Sequence, residues 1–209
     1  MSKITVVHLV RHGEADNPAG VLYGRLPGYH LSELGRAMAE RLADYLAGRD
    51  VVAVISSPLK RAAQTARPIA ARLELSVRVD PRLIEASNVY QGIPVNTLWQ
   101  PRHWQHLRNP FRPSWGEPYH QIAARMLAAL YSVAELAAGR EAVCVSHQLP
   151  IWMLRRQVQG RRLWHNPRLR QCALASLTSF TLADREIVSV DYAEPAKNLL
   201  PVKTFTPGL

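Results

Sequence analysis

The sequence predicts an α/β fold with three layers, α/β/α, in which a mostly parallel central sheet has an antiparallel edge. Short apolar runs alternate with longer stretches of helical periodicity along most of the 209 residues, which is typical of a sheet with helices on both faces. The last two apolar runs are separated only by a polar turn, which predicts a hairpin. A proline-rich segment interrupts the alternation and predicts an irregular cap inserted over the active-site edge of the sheet.

Six apolar segments have the length of strands. The first is nearly continuous in apolar residues, as parallel strands buried on both faces usually are. The last two flank a turn formed by Ala183, Asp184 and Arg185. The predicted strands are 4–10, 51–56, 77–79, 142–146, 172–182 and 187–192.

Four segments between these strands carry one apolar face at helical spacing. Ser32 is a natural N-cap for the first helix, and Gly48 ends it. Pro68 lies in the second helical segment, where it predicts either a kink or the start of a new helix. The other three predicted helices are 59–73, 119–138 and 151–158.

The length fits one domain, 1–209. Segment 93–118 combines prolines with Trp99, Trp104 and Trp115, and we interpret it as the cap insertion. Segment 194–209 has three prolines and no clear periodicity, which predicts a C-terminal tail.

Composition limits the classes of function. The net charge of +10, from 26 basic and 16 acidic residues, fits anionic ligands that range from phosphate esters to nucleic acid. The arginine cluster between Arg155 and Arg170 is interpreted as a solvated basic surface. Cys144 and Cys172 are expected to be buried thiols, and with no zinc-type spacing we predict no metal and no cofactor.

The first apolar run is short and lacks the small-residue cleavage site of a signal peptide. No apolar run approaches the length needed to span a bilayer. The predicted location is therefore cytoplasmic, with no membrane partner.

Three strand ends carry residues suited to phosphate chemistry. Arg11 and His12 follow the first strand, Arg61 lies shortly after strand 51–56, and His147 follows strand 142–146. Because ligands bind beyond the carboxyl ends of strands in an open parallel sheet, these four side chains are expected at one edge.

These residue types fit the transfer of a phosphoryl group. Guanidinium groups match phosphate oxygens with a bidentate fork, and a neutral imidazole can attack phosphorus and form a phosphohistidine. Two arginines and a second histidine can carry the developing charge, so no metal ion is required. The predicted reaction is a metal-independent phosphomonoesterase reaction through His12.

The chain also resembles the histidine phosphatase superfamily, in its phosphoglycerate-mutase-like branch. Five stretches carry the resemblance in the family's order: LVRHGEADNPAGVLYGR, HLSELGRAMAERL, SSPLKRAAQTARPIA, WGEPYHQIAARM and VCVSHQ. The resemblance implies that His12 is the nucleophile and that Arg11, Arg61 and His147 complete a catalytic phosphate pocket. It further implies phosphate or substrate contacts at three positions: Asn17, Tyr23 and Gly24.

The resemblance implies that a carboxyl group donates a proton to the leaving alkoxide. The family's L-x-E segment corresponds to Leu83-Ile84-Glu85, so Glu85 is the predicted general acid. Glu117 matches a Gly-Glu pair of the family and is expected to organise the fold or the cap. The family's W-E-G run is absent after this segment. Two other departures lie near the expected pocket mouth: Pro27-Gly28-Tyr29-His30-Leu31 stands where the family often has a D-x-P-L run, and Gln148 stands where glycine is common.

Three alternatives to a phosphatase stay open. A phosphoglycerate mutase would use the same His12 chemistry and return the phosphoryl group to a product. A basic nucleic-acid-binding module would use the arginines and cap tryptophans, and a catalytically silent relative would only bind a partner. The predicted partner is a small phosphorylated metabolite with no nucleic acid, and whether the chain forms a homodimer is left open.

Overall fold

The computed structural model describes residues 3–98, 100, 101, 105, 109, 113 and 115–200. Within these residues a sheet of six strands has the order β3-β2-β4-β1-β5-β6. Strands β1 to β4 are parallel to one another, whereas β5 and β6 are antiparallel to their neighbours. The strands are β1 Ile4–Arg11, β2 Val51–Ser56, β3 Val77–Val79, β4 Glu141–Ser146, β5 Leu177–Ala183 and β6 Glu186–Ala193.

Helices cover both faces of this sheet. The four α-helices of the described chain are α1 Glu33–Leu46, α2 Lys60–Arg72, α3 Tyr119–Ala137 and α4 Gln148–Val158. One apolar cluster joins α3 and α4 to one face, and a second joins α1 and α2 to the other. Alternate residues of β4 supply both clusters, with Cys144 on the first side and Val143 and Val145 on the second. The predicted α/β fold with a mostly parallel sheet and an antiparallel edge is confirmed.

Two predicted boundaries were wrong by three residues or more. Strand β5 begins at Leu177, because the backbone turns at Ala175, where φ is +52°. Helix α4 begins at Gln148, three residues earlier than predicted, with His147 as its N-cap. Of the two outcomes predicted for Pro68, the start of a new helix does not occur, because helix α2 passes through this residue as one element whose buried face includes Ala66 and Ile69.

The loop after β1 is tied closely to the start of α1. The hydroxyl of Ser32 accepts from the amide of Gly35 at 2.9 Å, as predicted for an N-cap, and donates to Glu14 Oε2 at 2.6 Å. A Cβ atom on Gly13 would overlap the carbonyl of Gly35, and one on Gly35 would overlap that of Glu14. Both glycines therefore allow an approach that other residues would block.

Both thiols are free and buried, as predicted for Cys144 and Cys172. None of the helices in the described part of the chain has the length and apolar character required to cross a membrane.

Candidate active site

The carboxyl ends of β1, β2 and β4 form the floor of a cleft with a volume of about 150 Å³. Arg11 is the last residue of β1 and His12 follows it, while Arg61 lies in the first turn of α2. All three line the cleft, and His147 lies behind Arg61. His12, Arg61 and His147 are buried, with exposures of 2%, 1% and 0%.

The hydrogen bonds of His12 define its tautomer. Its Nδ1 is 2.7 Å from the carbonyl oxygen of Gly13, which only accepts, so Nδ1 carries the proton. Its Nε2 accepts from Nε of Arg61 at 3.2 Å and therefore holds the lone pair. Burial, reinforced by the charges of Arg61 and Arg11, holds the pKa of His12 well below its usual range. The ring is therefore neutral, with its lone pair on the side of Arg61.

His147 has the opposite tautomer. Its Nδ1 is 3.3 Å from Nη2 of Arg61, a group that only donates, so Nδ1 holds the lone pair. Its Nε2 then donates to the hydroxyl of Ser57 at 2.7 Å. Burial and the charge of Arg61 also hold the pKa of His147 well below its usual range. The lone pairs of His12 and His147 thus point to the same guanidinium, with ring centroids 5.1 Å apart.

Arg61 is held by the loop that connects β1 to α1. Its Nη2 donates to the carbonyl of Gly24 at 2.7 Å, and its guanidinium lies 4.7 Å from the ring centroid of Tyr23. Thr65 ties the same helix to the backbone next to His12, because its hydroxyl accepts from the amide of Gly13 at 3.1 Å and donates to the carbonyl of Arg61 at 2.8 Å. Arg61 and His12 therefore keep a fixed relative position.

Arg11 presents a buried donor to this region. Its Nη1 donates to the carbonyl of Cys172 at 2.7 Å. Its Nε is buried and has no hydrogen-bond partner within the described residues. A buried N–H group without a partner costs free energy, which an oxyanion in the cleft would recover.

Glu85 lines the wall of the same cleft. Loss of hydration raises the pKa of its carboxyl. Two effects that lower the pKa are smaller: the Ala86 amide donates to Oε1 at 2.8 Å, and the cations Arg61 and Arg11 favour the charged form. A carboxyl with a raised pKa holds its proton closer to neutral pH, as a general acid requires.

The chain as a whole has counterparts among known proteins. The family model of the histidine phosphatase superfamily (branch 1) matches residues 7–195. The chain belongs to the histidine phosphatase superfamily.

Three similar proteins illustrate the likeness. The chain is 56% identical over 200 residues to the uncharacterized protein Rv0525 of Mycobacterium tuberculosis, covering 94% of this chain and 99% of that one. It is 33% identical over 183 residues to the probable phosphoglycerate mutase GpmB of Yersinia pestis, covering 81% and 82%. The structure of mycobacterial glucosyl-3-phosphoglycerate phosphatase Rv2419c with inorganic phosphate has a TM-score of 0.73 and 27% identity, covering 94% and 99%.

These findings confirm two predictions made from sequence: membership of the phosphoglycerate-mutase-like branch, and an enzyme of the phosphatase kind. The roles of individual residues remain predictions. The structure brings seven of the eight predicted residues to the cleft wall, and the eighth, His147, lies against Arg61.

Asn17 reaches the cleft in a structural role. Its Nδ2 donates to the carbonyl of Val21 at 2.9 Å, and its Oδ1 accepts from the amide of Val21 at 3.2 Å. Both polar groups of Asn17 therefore hold the loop that carries Tyr23 and Gly24. Contact of Asn17 with a substrate stays a prediction.

The rim of the cleft joins this loop to segment 93–118. Leu22 donates to the carbonyl of Ile93 at 2.9 Å, and Val95 donates to the carbonyl of Gly20 at 3.0 Å. Val95, Pro113 and Trp115 line the cleft. The predictions for Trp99 and Trp104 lie outside the described residues.

Glu117 has the contacts of an organising residue. Its carboxylate accepts from Arg25 at 2.8 Å and from Nε of Arg125 at 2.7 Å. Arg25 also donates to the carbonyl of Glu85. The pair formed by Glu117 and Arg25 thus supports the backbone of the predicted general acid.

The interpretation of the arginine cluster as a solvated surface was wrong for three members. Arg155 packs its guanidinium 5.7 Å from the ring centroid of Trp152 and 5.5 Å from that of Tyr192. Arg156 lies 5.7 Å from the same Trp152 centroid. Arg170 is half-buried and lines the cleft. The exposed members are Arg161, Arg162 and Arg168. The path of the chain after α4 brings Arg170 to the cleft, and no motif in the sequence marked it.

Proposed function

We propose that this enzyme hydrolyses phosphate monoesters without a metal ion and through a phosphohistidine at Nε2 of His12. The observation that carries the proposal is the neutral His12 ring, whose lone pair points into a cleft beside two guanidinium groups. Its substrate is a small phosphorylated metabolite. The cytoplasmic location predicted above is part of the same proposal.

Substrate binding would use the guanidinium groups of Arg11 and Arg61. The buried Nε of Arg11 gains the acceptor that it lacks, and Nε of Arg61 exchanges the lone pair of His12 for a phosphate oxygen. That exchange frees Nε2 of His12 to face phosphorus. The two cations balance the two charges of the phosphate group, which explains why the reaction needs no metal ion.

The first chemical step forms a nitrogen–phosphorus bond and breaks the ester bond. Nε2 of His12 attacks phosphorus, while the leaving oxygen takes the proton of the Glu85 carboxyl. The products are a phosphohistidine, an alcohol and the Glu85 carboxylate. The carbonyl of Gly13 stabilises the imidazolium character that develops on His12, because it accepts from Nδ1.

The second step reverses these roles. A water molecule gives a proton to the Glu85 carboxylate and attacks phosphorus, and the nitrogen–phosphorus bond breaks. Inorganic phosphate leaves, His12 regains its lone pair, and Glu85 is protonated again. One carboxyl therefore serves as acid and then as base.

His147 would stabilise the bound phosphoryl group. The charge of an entering phosphate raises the pKa of a neighbouring imidazole. A proton taken up at Nδ1 of His147 would let that nitrogen donate to a phosphate oxygen, while Nε2 keeps its bond to Ser57. Ser57 thus orients the ring in both protonation states.

The relatives support this proposal at the level of the chemistry. The mycobacterial glucosyl-3-phosphoglycerate phosphatase is similar along nearly its whole length, and one of its structures contains inorganic phosphate. The relative named as a probable phosphoglycerate mutase favours the second candidate, a phosphotransferase that uses the same nucleophile. The two candidates differ in whether water or a second substrate molecule accepts the phosphoryl group.

Rapid quenching of the enzyme with a ³²P-labelled ester tests the proposal. We expect label on the protein that is stable in base and labile in acid, its absence in His12→Asn, and one inorganic phosphate released per turnover without a bisphosphate primer. EDTA should leave the rate unchanged. Label retained in His12→Asn would refute the assignment of the nucleophile. Isomerised ester without phosphate release would identify a mutase.

A further inference from the structure

The segment between Glu141 and Asp184 contains six arginines and no acidic residue. Arg170 lines the cleft. The other five lie at the end of α4 or in the irregular chain after it, and they are called the basic face: Arg155, Arg156, Arg161, Arg162 and Arg168. None of the five forms an ion pair with a carboxylate within the described residues. The proposed phosphate chemistry uses none of them.

Contacts hold four of these arginines together at the C-terminal end of α4. The amide of Arg161 donates to the carbonyl of Arg156 at 2.9 Å, and Nε of Arg156 donates to the carbonyl of Arg162 at 2.5 Å. Burial lowers the pKa of Arg155 and of Arg156, and the nearby charge of Arg161 lowers both further. These positive charges are therefore close enough to repel one another, and an anionic surface would reduce that repulsion.

Aromatic rings support two of the half-buried guanidinium groups. Both Arg155 and Arg156 lie 5.7 Å from the ring centroid of Trp152, and Arg155 is also 5.5 Å from that of Tyr192. Nε and Nη1 of Arg155 are buried and have no hydrogen-bond partner within the described residues. Cations packed on aromatic rings are stabilised without a carboxylate. The basic face therefore keeps its net positive charge.

An aliphatic side chain projects from the same segment. The exposed fraction of Leu169 is 72%, the largest among the large apolar side chains of the described residues, and that of Trp164 is 49%. Leu169 ends a 3-10 turn, Pro167–Leu169, in which the side chain of Asn166 accepts from the amide of Arg168 at 3.0 Å. This capped turn presents an exposed apolar side chain directly beside an exposed arginine.

His165 places this turn next to the basic face. Its ring centroid lies 6.0 Å from that of Trp152, the ring on which Arg155 and Arg156 pack. The turn begins two residues later, at Pro167. The exposed leucine and the arginines at the end of α4 therefore belong to one region of the surface.

Two classes of polyanion match the basic face, an anionic lipid bilayer and a nucleic acid, because arginine binds the phosphate groups of both. A bilayer also provides an apolar layer for Leu169, and an aliphatic side chain that leaves water for this layer gains free energy. Tryptophan favours the headgroup level, and the long stems of arginine keep their charges at the phosphates while apolar neighbours insert. The combination of side chains therefore favours the bilayer.

We propose that the basic face and Leu169 dock the protein on the surface of an anionic phospholipid bilayer. The headgroups contact the exposed arginines, and Leu169 enters the boundary between headgroups and acyl chains. Docking of this kind needs no spanning segment and is compatible with the proposed cytoplasmic location. It replaces the prediction of no membrane partner, because that prediction rested on the length of apolar runs and not on exposed side chains.

Sedimentation with vesicles tests the proposal on the unaltered protein. Vesicles of phosphatidylcholine mixed with phosphatidylglycerol carry negative charge, and vesicles of phosphatidylcholine alone are the neutral reference. We expect binding to the mixed vesicles in about 0.1 M NaCl to be at least about tenfold tighter than to the neutral ones, and about 0.5 M NaCl to release the protein because salt screens the charges. Equal binding to both kinds of vesicle, or binding to neither, would overturn the inference.

A matched pair of double variants locates the surface. Arg161→Gln with Arg162→Gln removes two exposed charges from the basic face, which should weaken binding to mixed vesicles by about 10- to 30-fold. Arg36→Gln with Arg41→Gln removes the same charge from exposed positions of α1, on the other face of the sheet, and should weaken it less than about twofold. Unchanged thermal unfolding verifies that both variants fold. Equal weakening in the two would show that net charge alone causes binding, and the surface would be refuted.

Leu169→Gln separates a bilayer from a nucleic acid. The change keeps the charge and removes the apolar side chain, so it should weaken binding to mixed vesicles by about 3- to 10-fold and should not weaken binding to single-stranded RNA. Tighter binding to RNA than to vesicles, with no effect of Leu169→Gln on either, would make nucleic acid the partner and reject the bilayer. None of these measurements uses catalysis, so their outcome is independent of the phosphatase proposal.

Discussion

Two arginine–histidine pairs at the cleft have the same hydrogen-bond pattern. In each, Nδ1 of the histidine faces a backbone carbonyl, at 2.7 Å for His12 and 2.8 Å for His165. In each, Nε2 accepts from Nε of an arginine, at 3.2 Å from Arg61 and 2.8 Å from Arg170. Burial lowers the pKa of both imidazoles, to about 4 for His165.

The two pairs differ in which side chains reach the cleft. His12 and Arg61 both line it, whereas of the second pair only Arg170 does, because His165 lies behind near Tyr119 and Trp152. A neutral imidazole with an available lone pair is therefore not enough to identify a nucleophile. Access of Nε2 to the substrate separates a reacting group from a positioning group.

Replacing each histidine by asparagine tests this comparison most directly. We expect His12→Asn to lower kcat for p-nitrophenyl phosphate at least about 1,000-fold, because an amide cannot form the covalent intermediate. His165→Asn should lower it less than about tenfold, because the ring touches no reacting atom. Steady-state rates of both variants give the measurement, and losses of similar size would show that the two pairs are not distinct in function.

Replacement of Glu85 should cause the next largest loss of activity. Glu85→Ala should lower kcat/KM for alkyl phosphates by about 100- to 10,000-fold, because alkoxides need a proton as they leave. Aryl phosphates, whose leaving groups are weak bases, should lose less than about tenfold. Exposed Glu186→Ala is the control and should alter neither class of ester. If kcat/KM fell equally for alkyl and aryl phosphates in Glu85→Ala, another group would be the general acid.

The floor of the cleft could be predicted from sequence, but the Arg170 side could not. Strands β1, β2 and β4 are recognisable from their apolar residues, and parallel strands bring the residues at their carboxyl ends to one edge, so His12, Arg61 and His147 had to converge. Arg170 lies in irregular chain after α4, whose path no periodicity predicts. The start of β5 was misplaced for the same reason, since the turn at Ala175 leaves no trace in its apolar surroundings.

The smallest predicted effect concerns stability. The unfolded chain binds a proton at His165 near pH 6.5, whereas the folded chain binds it only near pH 4. The free energy of unfolding should therefore fall as pH decreases from 6.5 to 4.

Asparagine does not titrate in this range, so His165→Asn removes this pH dependence. The decrease in its free energy of unfolding should be smaller than that of the unaltered protein by roughly 1–2 kcal/mol. Urea unfolding at pH 6.5 and pH 4.5 measures it. The control, Arg168→Gln, should keep the full decrease. If the free energy of unfolding of His165→Asn decreased between these pH values as much as that of the unaltered protein, the ring would be solvated in the folded protein.

The bonds between loop 20–24 and segment 92–95 have a consequence for the divergence of related enzymes. Gly24 holds Arg61 at one end of this loop, while Leu22 and Gly20 pair with Ile93 and Val95 at the other. Mutations that reshape the rim here would also shift the arginine that binds phosphate, so new substrate preferences acquired on this side would carry a penalty in rate. The opposite wall, with Gln148 and Arg170, has no such link to Arg61 among the bonds described, which makes it the easier place for evolution or an engineer to retune selectivity.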